Sequence, residues 1–343
     1  QCFFYNLMDK FSKANELLKK HFNKDIVINF STSHGYRSRC EFDYNNGYYT
    51  MYDEHGERLN LTSFPIARPV ICELMPRLIK SVNKNDELNF KLFQINFRAN
   101  SNNKVLVSLV YHKKLDEKIK FHAEILSKSL KISVILRSKN DIFYTHDALL
   151  EDQIESLKTK LYQSDQSFYQ PNHYHMPEMV KKVISFLEEP KDLIELYCGS
   201  GTFTIPLSKY FKEVYATENN RQSIKCIEKS INGMSIENIN FSRLSDEEIS
   251  EAFDGKVFRR MKGIDINKYN FSHILVDPPR SGLSENVINL TMRFKNIIYV
   301  SCNYETYLRD INYLNNFKIK NIEIFDQFPN TKHLEIVSLL IQK

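Results

Sequence analysis

The β-branched run Ile297-Ile298-Tyr299-Val300-Ser301 ends in a single thiol, Cys302, followed by Asn303. Such a run reads as a buried strand, and the carboxyl end of a buried strand in an α/β sheet is where ligands are handled. Upstream, Ile274-Leu275-Val276 ends the same way in Asp277-Pro278-Pro279-Arg280, and downstream stands His333-Leu334-Glu335. An isolated cysteine commonly packs as a small hydrophobe. Here a thiol, two carboxylates and a loop stiffened by two prolines share the neighbourhood of strand ends, and together they are the parts of covalent catalysis.

A second group of residues suits a cofactor. Glu195-Leu196-Tyr197-Cys198-Gly199-Ser200-Gly201-Thr202-Phe203 reads as a strand turning into a helix through glycines, and Glu218 closes the next strand. Glycines at this turn let a cofactor approach the backbone, and an acid ending the second strand can accept both ribose hydroxyls. A dinucleotide site asks for a third glycine where Thr204 stands. A cofactor without a pyrophosphate, such as S-adenosylmethionine, fits better.

The thiol narrows the acceptor. A ring carbon such as uracil C5 is too weak a nucleophile to take a methyl group unaided. A thiolate added at C6 makes C5 electron-rich enough to attack a methyl sulfonium, and a base must then remove the C5 proton so that the thiol can leave. Glu335, an acid in the otherwise apolar run Leu334–Leu340, is the candidate base, since burial would raise its pKa toward a working value. Amino-methyltransferases of adenine and cytosine use a related acid-Pro-Pro stretch followed by an aromatic. Arg280 takes that place here and suits a phosphate or a carbonyl oxygen instead.

These groups need a scaffold. After Gln170-Pro171-Asn172 strands alternate with helices, and Asp192–Tyr197, Glu213–Thr217, Asn238–Ser242, His273–Val276 and Ile297–Ser301 read as five parallel strands. A helix is expected over Arg221–Ile231, and Ile319–Phe325 with Glu335–Ile341 reads as a closing antiparallel pair. The pattern predicts an α/β fold, a Rossmann-like doubly wound domain over residues 164–343 ending in an antiparallel hairpin. Residues 1–163 read as a smaller α+β domain. It has helices over Phe4–Phe22, Ile71–Val82 and Ile119–Leu130. Strands are expected over Asp25–Phe30, Tyr36–Tyr44, Gly47–Asp53, Phe93–Phe97, Val105–Tyr111, Ile132–Arg137 and Ile142–Tyr144, with a turn at Glu54-His55-Gly56-Glu57.

Composition agrees with two domains, since 343 residues are long for one core. Through Gln163 there are 25 Lys and Arg against 19 Asp and Glu, and beyond it 22 against 23, so the whole net charge of +5 originates in the first half. That half is where a polyanion such as RNA is expected to bind. Six scattered cysteines with no Cys-x-x-Cys pair argue against zinc ribbons, iron–sulfur clusters and thioredoxin-type sites, so no metal is expected. No apolar run is long enough for a bilayer and the first residues have no signal layout, so a cytoplasmic location away from membranes is expected. The sequence opens with Gln1 rather than Met, so the natural start is expected to lie upstream or to have been trimmed.

Together these residues closely resemble the bacterial tRNA uracil-5-methyltransferase family. The resemblance runs through Leu92-Phe93-Gln94-Ile95, Tyr111-His112-Lys113-Lys114-Leu115-Asp116, Ser167-Phe168-Tyr169-Gln170-Pro171-Asn172, Glu195-Leu196-Tyr197-Cys198-Gly199, Asp277-Pro278-Pro279-Arg280-Ser281-Gly282-Leu283, Ser301-Cys302-Asn303 and Phe325-Asp326-Gln327-Phe328-Pro329. It implies that Cys302 is the nucleophile and Glu335 the proton acceptor, and that Gln170, Tyr197, Thr202, Glu218 and Asp277 contact S-adenosylmethionine. It also implies that Phe93 touches tRNA near the extruded base, and Arg280, by the chemistry of its side chain, is expected as a further substrate contact. The expected product is 5-methyluridine in the T-loop, made by a monomer on the T-arm of tRNA.

Two departures stand out. Tyr304 follows Ser-Cys-Asn where the family usually has proline, and Thr202 stands where a typical member has Asn. Ribosomal-RNA relatives usually carry an extra N-terminal barrel and a cysteine cluster, neither of which is in this sequence, so tRNA is the expected substrate. An rRNA uracil-5-methyltransferase, and a non-catalytic RNA-binding or chaperone protein on the same fold, stay open as alternatives.

Overall fold

The computed structural model describes residues 7–22, 25–53, 55–329 and 331–343. The start of the predicted first helix, at Phe4, and the turn residue Glu54 lie outside the described residues. The chain forms two compact units. One comprises the chain up to Thr32, Ile154–Leu161 and Ser167–Lys343, and the other comprises Ser33–Gln153 and Tyr162–Gln166.

Among the described residues the first elements are α1 (Leu7–Lys19) and β1 (Val27–Asn29), both in the first unit. In place of a single boundary after residue 163, the first thirty or so residues join the C-terminal body, and the reason is packing. Phe11, Ala14 and Leu18 make a helical stripe buried among Ile194, Tyr215, Ile274 and Ile324. A buried apolar side chain of this size is worth roughly 1.5–3 kcal/mol. Val27–Asn29 pairs in parallel with Glu323–Phe325, and buried Lys10 donates to Asp326 Oδ1 at 2.5 Å. Amphipathic spacing predicts such a helix without saying which sheet covers it.

The second unit carries β2 (Arg39–Asn45), β3 (Tyr48–Tyr52), β4 (Arg58–Leu61), α2 (Pro69–Asn83), α3 (Asp86–Asn89), β5 (Leu92–Ala99), β6 (Val105–Tyr111), α4 (Glu117–Leu130), β7 (Ser133–Arg137) and β8 (Ile142–Tyr144). Its seven strands run in the order β4-β3-β2-β5-β6-β7-β8. Ile71, Leu74 and Leu78 of α2 and Ile119, Ala123 and Leu126 of α4 bury against Phe42, Ile95, Phe97, Leu109 and Leu136 of the sheet. The strand β4 had no counterpart in the sequence reading, because three of its four residues are exposed and carry no alternation.

A two-stranded sheet of β9 (Leu149–Ile154) and β10 (Thr159–Ser164) follows, where the chain passes between the units. The first unit then continues with α5 (His175–Ser185), β11 (Asp192–Leu196), α6 (Thr204–Leu207), β12 (Glu213–Thr217), α7 (Arg221–Met234), β13 (Ile239–Ser242), α8 (Asp246–Phe253), β14 (Phe271–Val276), α9 (Glu285–Thr291), β15 (Asn296–Ser301), α10 (Tyr304–Tyr313), β16 (Phe317–Phe325) and β17 (Glu335–Gln342). Its eight strands run β1-β16-β17-β15-β14-β11-β12-β13. The five expected parallel strands are there, and β17 lies antiparallel between β15 and β16.

Alternation along these strands feeds two cores. Ile194, Leu196, Ile274, Val276, Ile297 and Tyr299 face one side with α1, α8, α9 and α10. Leu193, Val214, Leu275, Ile298 and Val300 face the other with α5, α6 and α7. A sheet covered on both faces is the doubly wound arrangement, which leaves the strand ends as the open edge.

Candidate active site

The four parallel strands at the centre of the sheet each deliver one functional group at the same step. Tyr197, Glu218, Asp277 and Cys302 are the first residues past β11, β12, β14 and β15. In-register pairing of Leu196 with Thr217 and with Val276 keeps the first three ends level, and Val276 opposite Tyr299 sets Cys302 two residues beyond Asp277. Glu335 opens β17, whose antiparallel register pairs Ser301 with Ile336. One step further along that register sets Cys302 opposite Glu335, and facing residues on neighbouring strands have Cβ atoms about 4.5–5.5 Å apart. These five residues line one cavity of about 480 Å³ together with Gln170, Arg280, Phe168, Phe328 and His333. That volume is in the range of small-molecule sites.

Charge in the cavity is finely opposed. Glu335 is buried, and burial first, then the Asp277 carboxylate, raises its pKa well above the usual range while Arg280 pulls it down. Burial likewise pushes Asp277 up to about 7. The Cys302 thiol is pushed up to about 12 by burial, then by Glu335 and Asp277, against the pull of Arg280. At rest the thiol therefore keeps its proton, and Arg280 is the charged neighbour that favours the thiolate.

The cofactor-type residues are held by a connected set of polar contacts. Gln327, fully buried, donates from Nε2 to Gln170 Oε1 at 2.7 Å, which leaves the Gln170 amide nitrogen 3.5 Å from Asp277 Oδ2. Glu218 accepts the Gly199 N–H at 3.0 Å and the Asn220 N–H at 2.6 Å on separate oxygens. A carboxylate oxygen accepts more than one bond, so both retain room for hydroxyl donors. Tyr197 is held at φ +59 with its hydroxyl donating to Asp246 Oδ2 at 3.1 Å. A bulky residue in that backbone region is strained, a common mark of a functional position. This donor set, beside the aromatic Phe168 and Tyr197, fits S-adenosylmethionine.

The loop after Asp277 is gripped by α10, the helix that begins two residues after Cys302. Asn303 Nδ2 and Thr306 Oγ1 each donate to the Arg280 carbonyl at 3.2 Å. Arg309 Nη2 donates to the carbonyls of Ser281 at 2.9 Å and Leu283 at 3.1 Å. Asp310, buried, accepts the Leu283 N–H at 2.8 Å and the Tyr299 hydroxyl at 2.5 Å. One polar stripe of α10 thus ties the loop carrying Asp277 and Arg280 to the segment carrying Cys302.

Two expected residues lie elsewhere. Thr202 is buried in the turn after Gly201 and is not part of the cavity lining. Phe93 belongs to the second unit, where it stacks on His112 with ring centroids 3.8 Å apart in a cavity of about 840 Å³ that Lys113, Lys114, Arg137 and Lys139 also line. Phe168 and Phe328 were not singled out as site residues. Phe168 carried a usable signal, an aromatic directly before Tyr169-Gln170, and it is half exposed. Among the described residues no cluster of three metal-ligating side chains is present, and no helix is long and apolar enough to cross a membrane.

Fold and strand-end cavity together are those of a Rossmann-like methyltransferase. The chain matches the tRNA (Uracil-5-)-methyltransferase family over residues 2–343 and belongs to it. It is 38% identical over 355 aligned positions to the tRNA/tmRNA (uracil-C(5))-methyltransferase of Campylobacter concisus, covering 99% of this chain and 96% of that one. The relative of the same name from Campylobacter lari is 39% identical, covering 95% and 96%. A Pyrococcus abyssi tRNA (uracil-54, C5)-methyltransferase, solved in complex with S-adenosyl-L-homocysteine, shares the fold with a TM-score of 0.76 at 22% identity, over 98% of this chain and 84% of that one.

Proposed function

We propose that this chain converts the T-loop uridine of tRNA to 5-methyluridine through a covalent bond between Cys302 and C6 of the base. The observation that carries the reading is that Cys302, one residue past the last β15–β17 pair, and Glu335, the first residue of β17, line one cavity. Gln170, Tyr197, Glu218 and Asp277 would hold S-adenosylmethionine, and Thr202 would contribute through the shape of its turn. Bound there, the cofactor supplies an electrophilic methyl group on a sulfonium.

The chain's own residues do the rest. The Cys302 thiol gives up its proton to solvent, and Arg280 favours the resulting thiolate and stabilises the charge that develops on a uracil carbonyl oxygen as sulfur adds to C6. C5, now electron-rich, takes the methyl group. Glu335 as the carboxylate removes the C5 proton, the C5–C6 double bond re-forms, and sulfur leaves as thiolate.

Phe93 and the lysines beside it would hold the RNA, so binding should weaken as salt rises. The same reading has the chain acting as a monomer on the T-arm, in the cytoplasm. The relatives' names include tmRNA, and the reading extends to it. Incubation of unmodified tRNA, and separately of ribosomal RNA, with methyl-labelled cofactor tests it: label should appear on C5 of one T-loop uridine of the tRNA. Label on another base, or only on ribosomal RNA, would overturn the reading.

A further inference from the structure

A second cavity, of about 460 Å³, shares Arg280, Cys302 and His333 with the first but has different walls. Lys13 of α1, Lys332 of the loop before β17, and Tyr304 and Glu305 at the start of α10 form them. Lys13 and Lys332 are exposed, and Lys13 Nζ lies 5.9 Å from the centre of the Tyr304 ring. Lys10 also reaches this cavity, but its ammonium is bonded to Asp326. Among the described residues lining it, Lys13, Lys332 and Arg280 accompany one carboxylate, Glu305. His333 responds to that field: burial, then Arg280, Lys332 and Lys10, push it down to about 4.

Positive charge around an aromatic ring is the chemistry that takes single-stranded RNA, phosphate on the cations and base on the ring. The location adds the second argument. A uridine whose C6 reaches Cys302 is tethered on each side by a phosphodiester, so anionic backbone has to pass beside the thiol.

We propose that this second cavity binds the nucleotide adjoining the target uridine, its base against the Tyr304 ring and its phosphate between Lys13 and Lys332. The proposal rests on the reading of the chain as an RNA uracil methyltransferase and adds a substrate contact to it. Tyr304 also offers a clean probe. It is the first residue of α10, after the cap Asn303, and proline is well tolerated there. Tyr304→Pro removes the ring while leaving the helix its start.

The test uses a T-arm RNA hairpin with 2-aminopurine placed beside the target uridine, on the 5′ side in one RNA and the 3′ side in another. Wild type and Tyr304→Phe should quench one of the two on binding. Tyr304→Pro should lose that quenching and bind roughly tenfold more weakly, within the range for a lost base–aromatic stack. Lys13→Ala and Lys332→Ala should each lower the slope of log affinity against log salt by about 0.7. Methylation of the unlabelled hairpin by wild type is measured alongside. If wild type leaves it unmethylated, the activity reading fails and this site falls with it. If wild type methylates it but Tyr304→Pro keeps its quenching and affinity, or both lysine variants keep the wild-type salt slope, the second cavity is not the nucleotide site.

Discussion

Gly282 sits at φ +76 in the loop that carries Asp277 and Arg280. A methyl group there would lie 2.6 Å from both Arg309 Nη2 and Asp310 Oδ2, and 3.0 Å from Thr306 Cβ. Gly282→Ala therefore has two separable effects. The backbone effect, an L-residue held in the left-handed region, is about 1–2 kcal/mol. The steric effect is larger, because Asp310 is fully buried and its Oδ2 accepts from both Leu283 N and Tyr299 Oη. A carboxylate pushed aside weakens two charge-assisted hydrogen bonds, each worth about 1.5–3 kcal/mol. The sum is roughly 4–8 kcal/mol if nothing yields, and roughly 2.5–5 kcal/mol if the loop shifts and one bond survives. Gly263→Ala is the control: φ is +81 and no heavy atom lies within 4 Å of the added methyl, so only the backbone effect applies. Urea unfolding of both variants gives the comparison from midpoints at a common slope. Gly282→Ala should lose at least about 1.5 kcal/mol more than Gly263→Ala, a difference set by the hydrogen bonds alone. Its methyl transfer should fall as well under conditions where it remains folded, since Arg280 is held by the same stripe of α10. Equal losses in the two variants would refute the clamp.

Glu218→Gln should weaken S-adenosylmethionine binding by about 1–3 kcal/mol, as an amide keeps one acceptor but no charge, and calorimetric titration with unchanged affinity would remove Glu218 from the ribose contact. Methyl transfer should decline as pH falls through about 7, where Asp277 takes up its proton, and burial of Glu335 raises that carboxyl in the same direction; a flat profile from pH 6 to 8 would contradict the raised Asp277 value. Glu195, wholly buried, is pushed up to about 8 from an ordinary 4.5. Between those values the folded chain keeps a proton that the unfolded chain has released, so its contribution to stability falls as pH rises through the window. Glu195→Gln should therefore gain stability relative to wild type on going from pH 5 to pH 8, and unfolding curves showing no such gain would place the carboxyl's value in the ordinary range.

The strands that carry the chemistry were legible because buried parallel strands are short β-branched runs, and each ran directly into the residue that matters. Ile274–Val276 before Asp277 and Ile297–Val300 before Cys302 announced both strand and site. The terminal hairpin was legible too, yet the place of β17 between β15 and β16 was not, and that placement is what brings Glu335 to the end of β15 beside Cys302. The first helix showed its stripe but not its partner, so Phe11 and Leu18 were assigned to the wrong body. Helix α5 was missed although Met176, Met179, Val180 and Val183 recur at helical spacing, β4 and β10 gave little alternation to read, and the alternation of β9 is hidden by the buried polar Asp152. Tyr304 was visible only as an unexpected residue. Its partners Lys13 and Lys332 are hundreds of positions apart in the chain, and only folding brings them to one cavity.

The central claim is the covalent route, and denaturing electrophoresis of the protein after incubation with tRNA and S-adenosylmethionine tests it most directly. Glu335→Gln should accumulate a protein–RNA band that survives denaturation, because sulfur can add and the methyl group can transfer while the C5 proton stays. Wild type should show the same band only with 5-fluorouridine at the target, where there is no C5 proton to remove. Cys302→Ala should show no band with either RNA and make no 5-methyluridine. A persistent band from Cys302→Ala, or normal turnover by Glu335→Gln with no band, would contradict the assignment of nucleophile and base.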